Sequence, residues 1–496
     1  MVSRPDGTIK RIIYYGEITA VCFLCILLMC SILSAFPRSF FTVCFYLLYC
    51  IISLLTVYFL KDRIFRGHVV KRMIFNMAAA FIIRFIVIYF IGLTQQGDYA
   101  IYLSTARKIA DGTLSESNRF YYGIFPHALN YPIFISFMYK LIGETTWLTK
   151  VINLLFGVIE AGLGTYILEK SANPKVGLAG GLAVALNPSV IIFTLLAGGE
   201  PIYSSVILCA VFFLVSGLDK KKPYLFSAVF GIAAAAANFF RPAALILIIA
   251  SVLAIVIYSD SKAGEKLLSV SVIVVSYVLA AMLLGSVTAG VSGYKSPSRS
   301  YGWNLFVGAN ENSQGRWNEA DGELFNAARE EYDDPSKVQE HFFRLGIERY
   351  KNMGIRVAPH FKRKLSIWFD ESYPARAVTE WQNQYTRFRS ADLGQTFQLI
   401  VSSFNLPVVL GAVIALILLS LNNKAPLAMK TLSFYMIGSM MLFMIFETAT
   451  RYKGAYYSTL TLLAVYGYWK ICYYIKEKYI NKSNRVENPD IPGNAG

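Results

Sequence analysis

The hydrophobic residues of this chain gather into long unbroken runs, with polar residues confined to the gaps between them. FFTVCFYLLYCIISLLTVYFL, beginning at Phe40, carries no charge, and as a helix it is long enough to cross a hydrocarbon layer of about 30 Å. Such runs recur along the chain, which predicts an all-α polytopic membrane protein with about 12 transmembrane helices. The first run, from about Ile12 to Leu33, follows basic residues as a secretory signal would. It is long and enters Phe36-Pro37-Arg38 without a small-x-small cleavage site, so it reads as a retained helix.

Two polar stretches interrupt the pattern. In 94–145, Tyr99, Tyr102, Leu103, Ala106, Ile109 and Ala110 share one helix face that Gly112 would end. YPIFISFMYKLIG, from Tyr131, puts Phe134, Phe137, Met138 and Leu141 on one stripe ahead of Gly143. Both predict amphipathic helices lying at the membrane interface. The second stretch, 290–397, is too long for a connector and carries helical pattern in EADGELFNAAREEY and KVQEHFFRLGIERYKNMG, which predicts a small folded lobe. The expected divisions are two N-terminal transmembrane helices in 1–72, a transmembrane core in 73–289 that includes the 94–145 loop, the lobe in 290–397, C-terminal transmembrane helices in 398–475, and a disordered tail in 476–496.

Charge gives the runs a direction. Lysine and arginine concentrate at the N-terminus and at 61–72, 170–175, 219–222, 259–266, 422–430 and beyond Lys470. Placing these loops in the cytoplasm satisfies the positive-inside rule, with both termini cytoplasmic and the chain in the cell membrane. The 94–145 loop, the Glu200 turn and the lobe then face outward. The net charge of +16 is accounted for by these loops, so no nucleic-acid partner is implied. Only 16% of residues are charged, against roughly 25% in soluble domains. All seven cysteines lie in apolar runs, which excludes a disulfide framework outside the membrane, and Cys22-x-x-Cys25 reads as helix packing. The four histidines lack ligand spacing and no carboxylate pair accompanies Asp98, so neither a metal nor a cofactor is expected. The runs show no inverted or parallel repeat of the kind many secondary transporters carry.

Ionisable residues at the ends of runs are the candidates for chemistry. Asp98 stands at a membrane edge, where it could serve as a helix N-cap or as a reactive carboxylate. Glu200, followed by Pro201 at a first helical position, reads as an N-terminal cap. Arg241, in NFFRPAAL, has no acid nearby in sequence and needs a partner, either a headgroup or a phosphate. Arg451 and Lys453 end a late span, and His360 and Lys364, in APHFKRKLSIWF, could approach the membrane from the lobe. Asn304 and Asn310, in NLFVGANENSQGRW, suit turns or hydroxyl binding. Within the spans the ionisable groups are few, chiefly Arg84, Glu160 and Glu447.

GDYAIYLSTARKIADG, YPIFISFMYKLIG, NPSVIIFTLLAGGEPIY, GIAAAAANFFRPAAL, NLFVGANENSQGRW and ATRYKGAYYSTL follow one another in an order that resembles the GT-C superfamily of integral-membrane glycosyltransferases. The resemblance is to the branch of protein O-mannosyltransferases and lipid A aminoarabinose transferases, glycosyltransferase family 39-like. It implies a GT-C-like fold, a sugar donor carried on a polyprenyl phosphate among membrane lipids, and an envelope acceptor that is a glycan, lipid or protein. It also implies Asp98 as the catalytic carboxylate. Arg241, Arg451, Lys453, His360 and Lys364 become candidates for the donor phosphate, and Tyr102, Tyr131, Glu200, Asn304 and Asn310 for sugar or acceptor. The chain departs from the pattern at Tyr99, where many relatives carry a second acid. It departs again at Asn130-Tyr131, where the aminoarabinose branch has an acid–lysine pair, and in two extra early spans. A lipid-linked glycan flippase or transporter and an envelope polysaccharide polymerase are the alternatives.

Overall fold

The computed structural model describes residues 67–217, 223–295, 301–387 and 393–487. The two spans expected ahead of residue 67, the basic loop at 219–222 and the last residues of the tail lie outside the described residues. In chain order the helices are α1 (Val69–Phe90), α2 (Asp98–Ala110), α3 (Glu116–Ile124), α4 (Pro126–Ile142), α5 (Leu148–Ser171), α6 (Pro174–Leu186), α7 (Pro188–Phe193), α8 (Glu200–Gly217), α9 (Pro223–Phe240), α10 (Leu245–Tyr258) and α11 (Ala263–Ser292). A lobe follows, made of α12 (Gly302–Gly308), α13 (Glu319–Glu331), α14 (Pro335–Met353), α15 (Val357–Phe369) and α16 (Ser372–Glu380). Then come α17 (Leu393–Leu421), α18 (Leu427–Ile445) and α19 (Tyr457–Glu487). Among the described residues six helices are long and apolar enough to cross a membrane, namely α1, α5, α8, α11, α17 and α18, and the chain is a multi-pass membrane protein.

Helix α1 shows the membrane logic residue by residue. At four-residue spacing it buries Arg72, Asn76, Ala80, Arg84 and Ile88, while Ile74, Phe81, Ile82 and Phe85 face outward. With lipid as the solvent, polar groups must find partners inside the bundle. Arg72 pairs with Glu169, its Nε 2.7 Å from Oε2, and Asn76 donates to Thr165 Oγ1 at 2.8 Å. Arg84 donates to the carbonyl of Ala185 at 3.1 Å, and Glu160 accepts from Ser458. Two of the ionisable groups within the spans are therefore engaged in helix packing.

Two expectations change. The loop after α1 holds three helices instead of two: Ser115 caps α3, and α4 starts at Pro126, five residues before Tyr131 and in spite of Pro132 inside it. Proline is favoured at a first helical position, and Phe125, at φ −120° and ψ 66°, leaves the helical region to make the corner between α3 and α4. At the other end α19 continues to Glu487, past the point where the sequence reading begins a disordered tail. No glycine or proline interrupts that segment before Pro489.

The loop helices and the lobe form one body. Ile124 and Phe125 share a core with Trp303, Phe306, Phe325 and Phe342, and Gln339 bridges the two by donating to the carbonyl of Ile124 and accepting from the amide of Trp303. A second seam joins the segment after α1 to the end of the lobe: Thr94 N donates to Trp381 O at 2.7 Å and Asn383 N to Gly92 O at 3.1 Å. A cavity of about 710 Å³ lies between loop helices, lobe and span ends.

Candidate active site

Asp98 is the first residue of α2, not its cap. Gly97 occupies the N-cap position at φ 56° and ψ −134°, a conformation open in practice only to glycine. With no capping duty, the Asp98 carboxylate meets the guanidinium of Arg451. Arg451 belongs to the 3-10 turn Thr450–Ala455 between α18 and α19, so the pair joins the first loop to the last helices. The Asp98 side chain keeps 41% of its surface exposed, so one oxygen remains available to a ligand.

A second acid–arginine pair stands beside it. Glu200 opens α8 with its side chain 3% exposed, and it holds Arg241 and accepts from the Tyr99 hydroxyl at 3.2 Å. Arg241 precedes Pro242, which keeps its backbone extended, at the corner between α9 and α10. The Tyr452 ring lies beside both guanidiniums, its centroid 5.8 Å from Arg241 Cζ and 5.4 Å from Arg451 Cζ. The guanidiniums keep 24% and 25% of their surface, so each is held by an acid and still faces the cavity. Tyr102 and Tyr131 pack edge to face at 5.7 Å on the membrane side, and Asn304 lines the lobe side.

Four nominated residues lie elsewhere, and their assignment to the cleft is corrected. Lys453 is fully buried, donates to Phe369 O at 2.8 Å and pairs with Glu371. His360 bonds Gly308 O at 2.8 Å. Lys364 donates to the carbonyls of Gly308 and Phe446 at 2.8 and 2.7 Å, and burial pulls its ammonium well below the ordinary lysine range. Asn310 is a turn former, its side chain accepting from the amides of Asn312 and Ser313 and donating to Asp321. Each of these polar groups is committed to a backbone or an internal acid.

The cavity also contains residues that the sequence reading did not nominate for the site. His127 lines it, and burial, reinforced by Arg241, holds its imidazole down at about 4, so it is neutral at physiological pH. Glu447 lines it as well, and burial lifts its carboxyl above the usual range against the opposing pull of Arg451. Outside the lining, Gln95 donates to Leu195 O at 3.0 Å and accepts from Ala197 N at 2.8 Å, tying the approach to Asp98 to the approach to Glu200. Tyr452 sits inside the quoted ATRYKGAYYSTL, between the two cations that drew attention. His127 and Gln95 offered no comparable signal. Among the described residues no three His, Cys, Asp or Glu side chains are grouped to hold a metal ion.

No family model matches the chain, and no curated protein matches it in sequence. In structure it is similar to the archaeal oligosaccharyltransferase AglB from Archaeoglobus fulgidus, solved in complex with an inhibitory peptide and a dolichol-phosphate. That similarity has a TM-score of 0.40 and 8% identity, over 85% of this chain and 52% of that one. It is also similar to ArnT from Cupriavidus metallidurans bound to undecaprenyl phosphate, with a TM-score of 0.34 and 13% identity, over 79% of this chain and 77% of that one. The chain thus spans about half the length of the archaeal transferase.

Proposed function

We propose that the chain is a membrane glycosyltransferase that moves a sugar from a polyprenyl-phosphate-linked donor to a hydroxyl of an envelope acceptor, on the outer face of the cell membrane. The observation that carries this reading is the pairing of an available carboxylate with two held arginines around one cavity at the ends of the spans: Asp98 with Arg451, and Glu200 with Arg241. A donor on an isoprenoid chain stays in the bilayer, so its sugar phosphate must be met at the membrane edge. In the reaction, Asp98 accepts the proton of the acceptor hydroxyl as that oxygen bonds to the anomeric carbon. The bond from that carbon to the phosphate oxygen breaks, and the lipid phosphate leaves with the electron pair.

The leaving phosphate carries the charge that needs stabilising. Arg241 and Arg451 are fixed in advance, partly desolvated, and each presents donors in a planar fork suited to phosphate oxygens. Glu200 is too enclosed to compete with Asp98 for an acceptor, and its role is to hold Arg241. The orientation is supported by the basic loop 259–266, which follows α10 at the end opposite the cavity-lining Pro242 and Ala243.

The test is transfer by the purified chain in proteoliposomes with a polyprenyl-phosphate sugar and an envelope extract as acceptor source. Asp98→Asn is expected to abolish formation of the new glycosidic bond while membrane insertion and melting temperature persist. Wild-type turnover by that variant sinks the reading, and movement of lipid-linked glycan across the bilayer without a new bond favours a carrier.

A further inference from the structure

Asn310 does not reach the cleft, but the loop that it organises does. Asp321, 2% exposed, accepts from Asn310 Nδ2 at 2.9 Å, from Asn318 Nδ2 at 2.8 Å, and from both terminal nitrogens of Arg349 at 2.7 and 3.1 Å. The carbonyl of Gly315 accepts from Thr448 N at 2.9 Å. The loop between α12 and α13 is therefore fastened to α14 and to the segment after α18. From this fastened loop Trp317 stands out 62% exposed, on the wall of the cavity.

The indole is supported on one side only. Gly322, in the first turns of α13, lies beneath it, and a Cβ there would come within 3.3 Å of Trp317 Cζ2. The missing side chain makes a bed for the ring, whose other surface is open. Asn304, Asn326 and Arg329 share this part of the wall, and Arg329 Nε is buried with no hydrogen-bond partner. A large aromatic held rigidly yet left uncovered is the arrangement of a preorganised recognition site.

We propose that Trp317, bedded on Gly322, is the stacking platform for a pyranose ring of the acceptor, which makes the acceptor a glycan; the word acceptor here rests on the glycosyl-transfer reading. A pyranose presents an apolar C–H surface and a rim of hydroxyls. The negative face of an indole attracts the first, and neutral amides with a guanidinium donor suit the second. A lipid tail would use only the ring, and a phosphate only the cation. An extended peptide would look for a free strand edge, and the described residues contain no strand.

Saturation-transfer NMR on the full chain in nanodiscs tests this, with methyl α-mannopyranoside, methyl β-glucopyranoside and methyl β-galactopyranoside as probes beside a threonine-containing hexapeptide. At least one glycoside is expected to bind through its ring protons. Its affinity is expected to fall about tenfold or more in Trp317→Ala, the size of a binding hot spot. Trp317→Phe should retain most of it, and Gly322→Val, which lifts the ring from its bed, should lose it. Absence of glycoside binding, or affinity unchanged in both Trp317→Ala and Gly322→Val, overturns the proposal. Binding of the peptide in place of glycosides overturns the glycan assignment. The measurement needs no donor, so it decides the platform even where no transfer is seen, while Asp98→Asn decides the enzyme reading even where no glycoside binds.

Discussion

One guanidinium, that of Arg451, orients the carboxylate at the mouth of the cavity and lies beside the Tyr452 ring. A lysine would keep the charge and lose the fork and the ring contact. Arg451→Ala is expected to lower the transfer rate by about 10²–10³-fold, and Arg451→Lys to recover only part of that, measured as product formed at saturating donor. His127 makes a prediction about pH. Its folded-state pKa of about 4 lies below the ordinary value of 6.5, so the unfolded chain binds the extra proton first. Stability is complete above about 6.5 and is lost as the pH falls from there towards about 4. His127→Gln should flatten the melting temperature over that window. At this scale the sequence was informative about which residues were unusual, because an acid or a cation at the end of a span is costly unless it has a partner. It could not say who pairs with whom: Arg241 lacks a neighbouring acid in the chain and acquires Glu200 only through folding. Lys453, His360 and Lys364 carry the same local signature as Arg451 and are separated from it by burial alone.

Among the elements, α2 depends on the residue before it. A Cβ at Gly97 would meet nothing within 4 Å, so the cost of Gly97→Ala is backbone strain alone, about 1–3 kcal/mol. Relief of that strain turns Asp98 away from Arg451, so kcat should fall; wild-type kcat in Gly97→Ala would show that the turn does not set the carboxylate. Lys364 fastens α15 to the end of α12 and to the residue after α18 through two carbonyls. Lys364→Met takes the donor from the Phe446 carbonyl, while Gly308 O keeps His360 and Tyr350, and is expected to cost about 1–3 kcal/mol of stability. The donor KM should stay near its original value, which separates a brace from a phosphate ligand. The helical periodicity of α2, α13 and α14 was plain in the sequence. The division of α3 from α4 was not, because it rests on one non-helical residue, Phe125, ahead of a proline.

For the molecule as a whole, the wall of the cavity is assembled from segments far apart in the chain, and Lys453 and Glu371 make one of the joints behind it. Glu371 also accepts from Tyr457 at 2.7 Å and from Asn405 at 2.9 Å, so the end of the lobe, α17 and α19 converge on one carboxylate. Removing one partner of such an enclosed pair strands the other, and Lys453→Met is expected to cost about 3–5 kcal/mol, read as a drop in detergent melting temperature. The helical, membrane-spanning class was legible from the runs of apolar residues, since lipid permits few other solutions. The sharing of one core by the first loop and the lobe was not, since Phe125 and Phe325 look like ordinary apolar positions until they meet.

The Gln95 and Thr94 bonds hold the few residues ahead of Asp98 to the approach to Glu200 and to the far end of the lobe, so one short stretch of chain keeps both halves of the enclosure in step with the carboxylate.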